Sequence, residues 1–420
     1  MNHVRARRTA ASRPCGSGVR VPAASSGRAA SGTGRDYPRP RPRRAPEGER
    51  GPAGRPRRER RPGERSTGEA HHVKNSRIVL AARPDGEPAD GDFRMESSST
   101  PPLERGELLL RTIYLSLDPY MRGRMNAARS YVDPVELGAV MVGATVSEVV
   151  ESADDAFAPG DVVLAASGWQ EFAVAAASRV RRLDPAAAPI TTALGVLGMP
   201  GFTAYAGVTA IGKPERGETL VVAAATGPVG ATVGQIASAL GARTVGIVGG
   251  AAKEAVARRF GFDAVIDRTA GELGDALDAA APDGIDVYFE NVGGAVWDAV
   301  LPRLNTYARV PVCGLVATYN GPAATSGPAP APALMRTVLT RSLTIRGFIQ
   351  DEFRESLTTS FTADMTAWVR DGRVTYLEDI TPGLATAPRV FRGMLRGENL
   401  GKTIIQVGED PTVRDRGARG

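Results

Sequence analysis

Apolar residues follow two different patterns along this chain. Before about residue 194 the apolar stretches are short and separated by glycine and proline turns, as at 77–81, 106–116, 140–151, 161–166 and 169–174. Such stretches, with no helical pattern between them, predict a compact β-rich domain rather than a parallel sheet. The same pattern returns at 402–407, so the middle of the chain is bracketed by two parts of one β-rich domain.

In the middle of the chain, strand patterns alternate with helical ones. Six such strands predict a doubly wound parallel sheet, an α/β fold of the Rossmann type. The predicted strands are 219–225, 243–250, 264–267, 285–290, 308–313 and 343–347, and the predicted helices are 232–241, 253–260, 271–281, 295–301 and 351–371. A Pro-, Ala- and Gly-rich segment at 320–333 predicts a mobile surface loop. We place the β-rich domain at 74–196 and 370–408, the Rossmann domain at 197–369, and tails at 1–73 and 409–420.

Charge is divided unevenly between the first tail and the rest. Residues 1–73 hold 18 Arg, no Lys and 6 acidic residues, a net charge of +12, which leaves −6 for the remainder. This Pro- and Gly-rich tail has too few apolar residues to form a core, which predicts disorder. It could be a transit peptide, a nucleic-acid-binding arm that uses the Arg runs at 39–44 and 55–61, or an extended start without function. The composition favours the third.

Neither a membrane span nor a secretory signal is visible. No apolar run approaches the roughly 20 residues that a membrane helix needs. The chain has two cysteines, Cys15 in the tail and Cys313 near a strand end, which cannot build a disulfide framework. We therefore predict a cytoplasmic protein.

The segment 219–237 reads as an apolar strand, a glycine turn and a helix start. A turn of this kind lets the backbone approach a diphosphate, and the helix N-terminus offers unpaired N–H groups and a positive dipole end. Gly234 would let the helix pack close to the sheet. The spacing differs from strict G-x-G-x-x-G, so the strand before and the helix after it carry much of the argument.

The end of the next strand indicates which dinucleotide is bound. A strand that binds NAD usually ends in Asp or Glu, which holds the ribose 2′-hydroxyl. Here that place is taken by two glycines and two alanines at 249–252, followed by Lys253. A cation without a carboxylate favours NADPH over NADH. The alternative is that Lys253 is a solvated residue at a helix start.

Metal and hydrolase chemistry lack the residues they need. The three histidines, His3, His71 and His72, all lie in the tail or at its edge, and the predicted domains hold a single cysteine. A catalytic zinc site needs three ligands, typically Cys and His, and a Ser-His-Asp triad needs a histidine base. We predict no metal site.

Four strings resemble the zinc-independent leukotriene/prostaglandin reductase branch of the medium-chain dehydrogenase/reductase superfamily, which includes bacterial curcumin reductases and plant alkenal double-bond reductases. They lie at 114–122, 195–205, 289–294 and 399–402, and the resemblance extends over roughly 75–407. It implies a GroES-like β domain beside the Rossmann domain. It also implies NADPH-dependent reduction of the C=C bond of α,β-unsaturated ketones and aldehydes.

The resemblance also implies roles for individual residues. Tyr319 would hydrogen-bond the substrate carbonyl or the ribose, and Tyr120 would face the cleft, unless either is a packing residue. Arg268 replaces a family tyrosine and could grip the 2′-phosphate or be solvated, and Asn291 could meet the ribose and nicotinamide or cap a turn. The implied cofactor-binding residues are Gly227, Pro228, Val229, Gly230, Lys253, Arg268, Asn291, Cys313, Gly314, Leu315, Tyr319, Phe348, Ile349, Gln350 and Asn399.

Two alternative functions remain open at this point. Related zinc-free reductases reduce quinones, and the sequence does not separate a quinone from an enone. A protein that binds nucleic acid through its Arg-rich tail is a different class, against which the complete cofactor motif argues. The strand pattern at 343–348 predicts an edge that could pair across a homodimer.

Overall fold

Two large β-sheets and one two-stranded sheet organise the computed structural model, which describes residues 73–128, 130, 132–321 and 331–416. The described residues belong to one compact unit. Residues 1–72 of the predicted disordered tail lie outside the described residues. Residues 322–330, most of the predicted loop at 320–333, lie outside them as well.

The elements follow one another as a β-rich part, an alternating part and a β-rich return. The first part contains β1 (Lys74–Leu80), β2 (Phe93–Ser99), β3 (Glu107–Ser116), α1 (Tyr120–Arg124), β4 (Thr145–Ser152), β5 (Val162–Ala165), β6 (Phe172–Ala176) and β7 (Arg181–Arg182). The second contains α2 (Met199–Ala206), β8 (Thr219–Ala223), α3 (Pro228–Ala239), β9 (Arg243–Val248), α4 (Ala251–Arg259), β10 (Ala264–Asp267), α5 (Leu273–Ala280), β11 (Ile285–Phe289), α6 (Ala295–Val300), β12 (Leu304–Val312), α7 (Ala331–Thr340), β13 (Thr344–Gly347) and α8 (Arg354–Arg370). The return contains β14 (Glu378–Pro382), α9 (Ala387–Leu395), β15 (Lys402–Gln406) and α10 (Pro411–Arg416).

The β-rich lobe is a seven-stranded sheet in the order β14-β15-β3-β4-β5-β7, with β6 paired to β3. Strand β15 runs antiparallel to β3, so the last strand of the chain completes a sheet that the first part began. Beside this sheet, β1 and β2 form a hairpin-like pair. Trp169 is fully buried there, stacked on Phe93 at 5.5 Å between ring centroids and edge-on to Phe391 at 5.6 Å.

The Rossmann lobe is a six-stranded parallel sheet in the order β10-β9-β8-β11-β12-β13. The chain runs outward from β8 to β10 and then returns to β11 on the other side of β8. Open sheets of this kind bind ligands outside the carboxyl ends of their strands, beside such a reversal. Every residue of β8 is buried, as expected for a central parallel strand covered on both faces.

The predicted fold class is confirmed, and the differences lie in element boundaries and in helices that were not predicted. The predicted loop at 320–333 ends in helix α7, and the predicted β return contains helix α9. Helix α3 begins at Pro228, so most of the predicted glycine turn is already the first helical turn. Proline is favoured at this position because its missing N–H has no intrahelical partner there. Strand β12 begins at Leu304, four residues before the predicted start.

Several helices were not predicted, namely α1, α2, α7, α9 and α10, and α2 shows most clearly why. Helix α2 continues into a π-helix at Gly207–Gly212. Residues 200–206 of α2 are all buried, so the helix has no polar face and shows no amphipathic periodicity in the sequence.

Among the described residues, no helix is both long and apolar enough to cross a membrane.

We propose the domain boundaries 74–196 and 370–408 for the β-rich domain and 197–369 for the Rossmann domain.

Candidate active site

The turn from β8 into α3 has the geometry of a diphosphate cradle. Ala224 takes a left-handed φ of 53°, and Gly227 caps the helix in an extended conformation. A Cβ on Gly230 would lie 2.4 Å from the Ala224 carbonyl oxygen, so only glycine allows this close approach. The first N–H groups of α3 have no acceptor within the helix, so they are free to bind an anion. These features fit the phosphates of a dinucleotide.

Two cations lie beyond this turn, at the carboxyl ends of β9 and β10. Lys253 is half-buried, and its ammonium donates a hydrogen bond to the Gly397 carbonyl of the β-rich lobe. Burial lowers the pKa of Lys253, and the charge of Arg268 lowers it further. The Arg268 guanidinium lies beside Gly249, where a Cβ would be 3.3 Å from Nη2. Together, the two side chains form a positive pocket that suits a 2′-phosphate.

A carboxylate lies near this pocket, but on the neighbouring strand. Asp267 at the end of β10 accepts a hydrogen bond from the Gly250 N–H at 2.8 Å and two more from Thr269. The Gly250 bond contributes most to lowering the pKa of Asp267. This carboxylate therefore fixes the turn that leads into α4.

Asn291 links three strands at the reversal of strand order. Its Nδ2 donates to the Ala223 carbonyl at 3.1 Å, and its Oδ1 accepts from the Cys313 thiol at 3.0 Å. The Asn291 side chain thus connects the ends of β8 and β12 to the turn that follows β11. Burial raises the pKa of Cys313 to about 12, with a smaller contribution from the charge of Glu290, so the thiol is protonated at neutral pH.

Glu290 is a buried residue that the sequence analysis did not single out. Its Oε1 accepts hydrogen bonds from Tyr288, from the Val292 N–H at 2.6 Å and from the Gly293 N–H at 2.8 Å. Burial raises the pKa of this carboxyl group. It holds the turn before α6 and so fixes the backbone that carries Asn291. An acid directly after an apolar strand was the available signal.

Gly314, Leu315 and Tyr319 follow β12 at the carboxyl edge of the parallel sheet. The Tyr319 hydroxyl oxygen lies 3.4 Å from the Leu315 N–H, which donates to it, and 3.3 Å from a Cβ built on Gly314. Tyr319 is half-buried at the carboxyl edge of the parallel sheet. This position is compatible with contact to a ligand at that edge.

Phe348, Ile349 and Gln350 follow β13 at the same edge. Phe348 is buried, with its ring 6.3 Å from that of Phe289 and its N–H bound to the Val312 carbonyl at 3.2 Å. Its side chain therefore belongs to the core, and its backbone and the half-buried Gln350 are left to face a ligand.

The β-rich lobe contributes two predicted residues. Tyr120 opens α1 and is half-buried against the apolar cluster around Trp169. Asn399 donates from Nδ2 to the Gly401 carbonyl at 2.9 Å, in the turn before β15. Because Lys253 contacts Gly397 in the same segment, the predicted phosphate site and Asn399 lie at one seam between the lobes.

A buried ion pair near this seam is the largest feature that the sequence analysis missed. Lys402 at the start of β15 contacts Asp118 at 2.6 Å, and both side chains are almost completely buried. Lys402 and its neighbour Glu378 line a narrow cleft with Thr226 and Pro228 of the glycine turn. The signal was a lysine that opens an otherwise apolar strand, although its partner lies 284 residues away.

Within the described ranges, no group of three or more His, Cys, Asp or Glu side chains could hold a metal ion. What the carboxyl edge of the sheet offers is a glycine cradle, a cationic pocket and a row of neutral hydrogen-bonding side chains. The glycine cradle and the two cations fit the phosphates of a phosphorylated dinucleotide.

Comparisons with known proteins agree with this geometry. Residues 76–183 match the family described as the N-terminal domain of oxidoreductase, and residues 228–363 match the family described as zinc-binding dehydrogenase. The chain is 50% identical over 338 residues to the NADPH-dependent curcumin reductase of Escherichia coli K12, which covers 80% of this chain and 98% of that protein. It is 38% identical over 326 residues to prostaglandin reductase 1 of Rattus norvegicus, covering 77% and 96%.

A solved structure is similar over the same region. The crystal structure of CurA from Vibrio vulnificus in complex with NADPH has a TM-score of 0.77 and 45% sequence identity. The similarity covers 80% of this chain and 100% of that one.

Proposed function

The chain belongs to the medium-chain dehydrogenase/reductase family, and from that premise we propose that it reduces the C=C bond of α,β-unsaturated ketones and aldehydes. It is an NADPH-dependent oxidoreductase of the curcumin and prostaglandin reductase type. One relative is named for curcumin, which is itself a conjugated enone. The finer statement, that enones and enals are the substrates of this chain, is the proposal.

One observation carries the proposal: the two ends of the carboxyl edge of the parallel sheet differ in charge. At one end lie the α3 N-terminus and the cations Lys253 and Arg268, which suit phosphates. At the other lie neutral hydrogen-bonding groups, including the Tyr319 hydroxyl and the Asn291 amide. An enolate oxygen is stabilised by neutral donors of this kind, and its α-carbon can take a proton from solvent.

We assign the following roles on this basis. When bound, NADPH supplies the hydride that is added to the β-carbon of the substrate. Tyr319 would donate its hydroxyl proton in a hydrogen bond to the substrate oxygen, and Tyr120 would face the substrate from the β-rich lobe. The proposed cofactor-binding residues are Gly227, Pro228, Val229, Gly230, Lys253, Arg268, Asn291, Cys313, Gly314, Leu315, Phe348, Ile349, Gln350 and Asn399.

Product analysis tests the proposal directly. The purified chain is incubated with deuterated NADPH and a small enone, and the products are identified by mass spectrometry. We expect the saturated ketone with deuterium at the β-carbon. An allylic alcohol, or no turnover of a panel of enals and enones, would contradict the proposal. Turnover of quinones alone would instead establish the quinone reductase alternative.

We also propose that the chain forms a homodimer through β13. This strand is the last of the parallel sheet, and all four of its residues are exposed. Strand edges of this kind present unpaired N–H and C=O groups to a second strand. The cytoplasmic location predicted from the cysteines remains a prediction.

A further inference from the structure

The ion pair between Lys402 and Asp118 joins two segments that lie 284 residues apart. The Lys402 ammonium lies 2.6 Å from Asp118 Oδ1, and the two side chains are 3% and 6% exposed. Burying two charges is costly, and apolar residues of similar volume often give equal or greater stability. The pair therefore calls for a reason other than stability, and its neighbours on each side indicate one.

On the Asp118 side, the pair fixes the path from β3 into α1. Lys402 also donates to the Leu117 carbonyl at 2.8 Å, and the Ser116 hydroxyl donates to Asp118 Oδ2. The Asp118 carbonyl accepts from the Met121 N–H at 3.1 Å, which starts the helix. Tyr120 is the first residue of that helix, so the orientation of Tyr120 depends on this turn.

On the Lys402 side, the pair fixes the turn that carries Asn399. The Lys402 N–H donates to the Leu377 carbonyl at 2.8 Å. The Asn399 side-chain amide donates to the carbonyl of Gly401, the residue before Lys402. Gly401 has a φ of 77°, and a Cβ there would lie 2.1 Å from the Leu377 oxygen, so the turn has little freedom. Asn399 lies three residues before the buried ammonium.

We propose that Lys402 and Asp118 are positioning residues that align Asn399, on the cofactor, with Tyr120, on the substrate. Neither touches the reacting atoms in this assignment. One buried contact sets both turns, so cofactor and substrate are held at a fixed distance from each other. The part that concerns Tyr120 rests on the proposed function. The part that concerns Asn399 rests on its proposed contact with the cofactor but not on enone reduction, because it is read from NADPH binding alone.

A double substitution separates positioning from folding. Either single variant, Lys402→Met or Asp118→Leu, leaves one buried charge unpaired and should unfold at a lower temperature. The double variant Lys402→Met/Asp118→Leu removes both charges and should regain most of the lost melting temperature. We expect its Kd for NADPH and its KM for the enone each to remain about tenfold above the parent, since the two turns have lost their common anchor. Recovery of both affinities together with stability would overturn the proposal.

The control is the pair Arg309 and Glu218, at 2.5 Å, which lies at the amino ends of the parallel strands. The variant Arg309→Met/Glu218→Leu should change the melting temperature while leaving the Kd for NADPH and the KM for the enone within about twofold of the parent. Equal losses of affinity in both double variants would mean that any such pair acts through stability, and the proposal would fail.

A second variant keeps the proposal testable if the double variant does not fold. Ser116→Ala removes one hydrogen bond to Asp118 and leaves the ion pair in place. It should raise the KM for the enone about threefold and leave the Kd for NADPH unchanged, because Ser116 acts on the Tyr120 side only. No change in KM, or an equal change in Kd, would contradict the assignment. If the parent itself does not reduce enones, the proposed function fails, while the Kd of the Lys402 variants still decides the Asn399 part.

Discussion

The ammonium of Lys253 is held against the Gly397 carbonyl, and burial with the charge of Arg268 lowers its pKa. A 2′-phosphate beside it would favour the charged form and add a charge-assisted hydrogen bond, worth about 1.5–3 kcal/mol. We therefore expect Lys253→Ala to raise the Kd for NADPH about 10- to 100-fold and to leave the Kd for NADH nearly unchanged. Fluorescence titration with both coenzymes measures this. Arg258→Ala, on the same helix and paired to Glu254, is the control and should change neither.

Tyr319 lies after β12, at the other end of the carboxyl edge of the sheet from Lys253. Its proposed role can be tested by removing a single hydroxyl group. If its hydroxyl stabilises the substrate oxygen, Tyr319→Phe should lower kcat about 100-fold, the effect of removing one donor to a developing oxyanion. The KM for NADPH should change little, because the ring remains. Tyr307→Phe serves as the control, since Tyr307 is 71% exposed. An unchanged kcat in Tyr319→Phe would place the catalytic donor elsewhere.

Glu378 makes the folding stability of the protein depend on pH. Its Oε1 is buried without a hydrogen-bond partner in the described part of the chain, and burial raises its pKa above 4.5. A group with a raised folded pKa contributes stability that is complete below its unfolded pKa and is lost as pH rises through the folded one. Glu378→Gln should therefore match the parent in melting temperature near pH 4 and exceed it increasingly toward pH 8. The exposed Glu355→Gln controls for net charge.

Elements add constraints that no single side chain carries. The first turn of α3 can approach β8 only because position 230 lacks a Cβ, which would lie 2.4 Å from a backbone oxygen. We expect Gly230→Ala to push the helix start away from the sheet, at a cost of about 1–3 kcal/mol in unfolding free energy. The Kd for NADPH should rise as well. Gly271→Ala is the matched control because nothing lies within 4 Å of its Cβ. Denaturant unfolding and coenzyme titration of both variants would decide.

The sequence predicts elements well where the pattern is local. Strand β10 was predicted at its observed bounds, 264–267, because four residues between two polar turns leave little choice. Helix α2 was missed because it is buried on all sides. In the site, glycine, Lys253 and Tyr319 could be found from motifs and resemblance. The pairing of Asp118 with Lys402 could not, since it depends on β15 lying beside β3, a contact that no local pattern encodes.

At the level of the whole molecule, each of the two large sheets has an edge strand with an exposed isoleucine. Ile345 on β13 is 37% exposed and Ile380 on β14 is 40% exposed. If the homodimer forms through β13, Ile345→Lys should shift the protein from dimer to monomer in sedimentation velocity, because a buried lysine at a strand edge opposes pairing. Ile380→Lys, at the edge of the other sheet, should leave the dimer intact. A parent that sediments as a monomer would refute the homodimer.

The return of β15 to β3 also has a consequence for biosynthesis. Translation proceeds from the N-terminus, so β3 leaves the ribosome long before the strand that must cover its flank. Until β15 emerges, the first lobe has an open edge at β3, and Asp118 lacks its counterion Lys402. A nascent chain that stops early therefore exposes features that chaperones and proteases recognise. The order of elements along the chain therefore makes synthesis through β15 a condition for a stable N-terminal lobe.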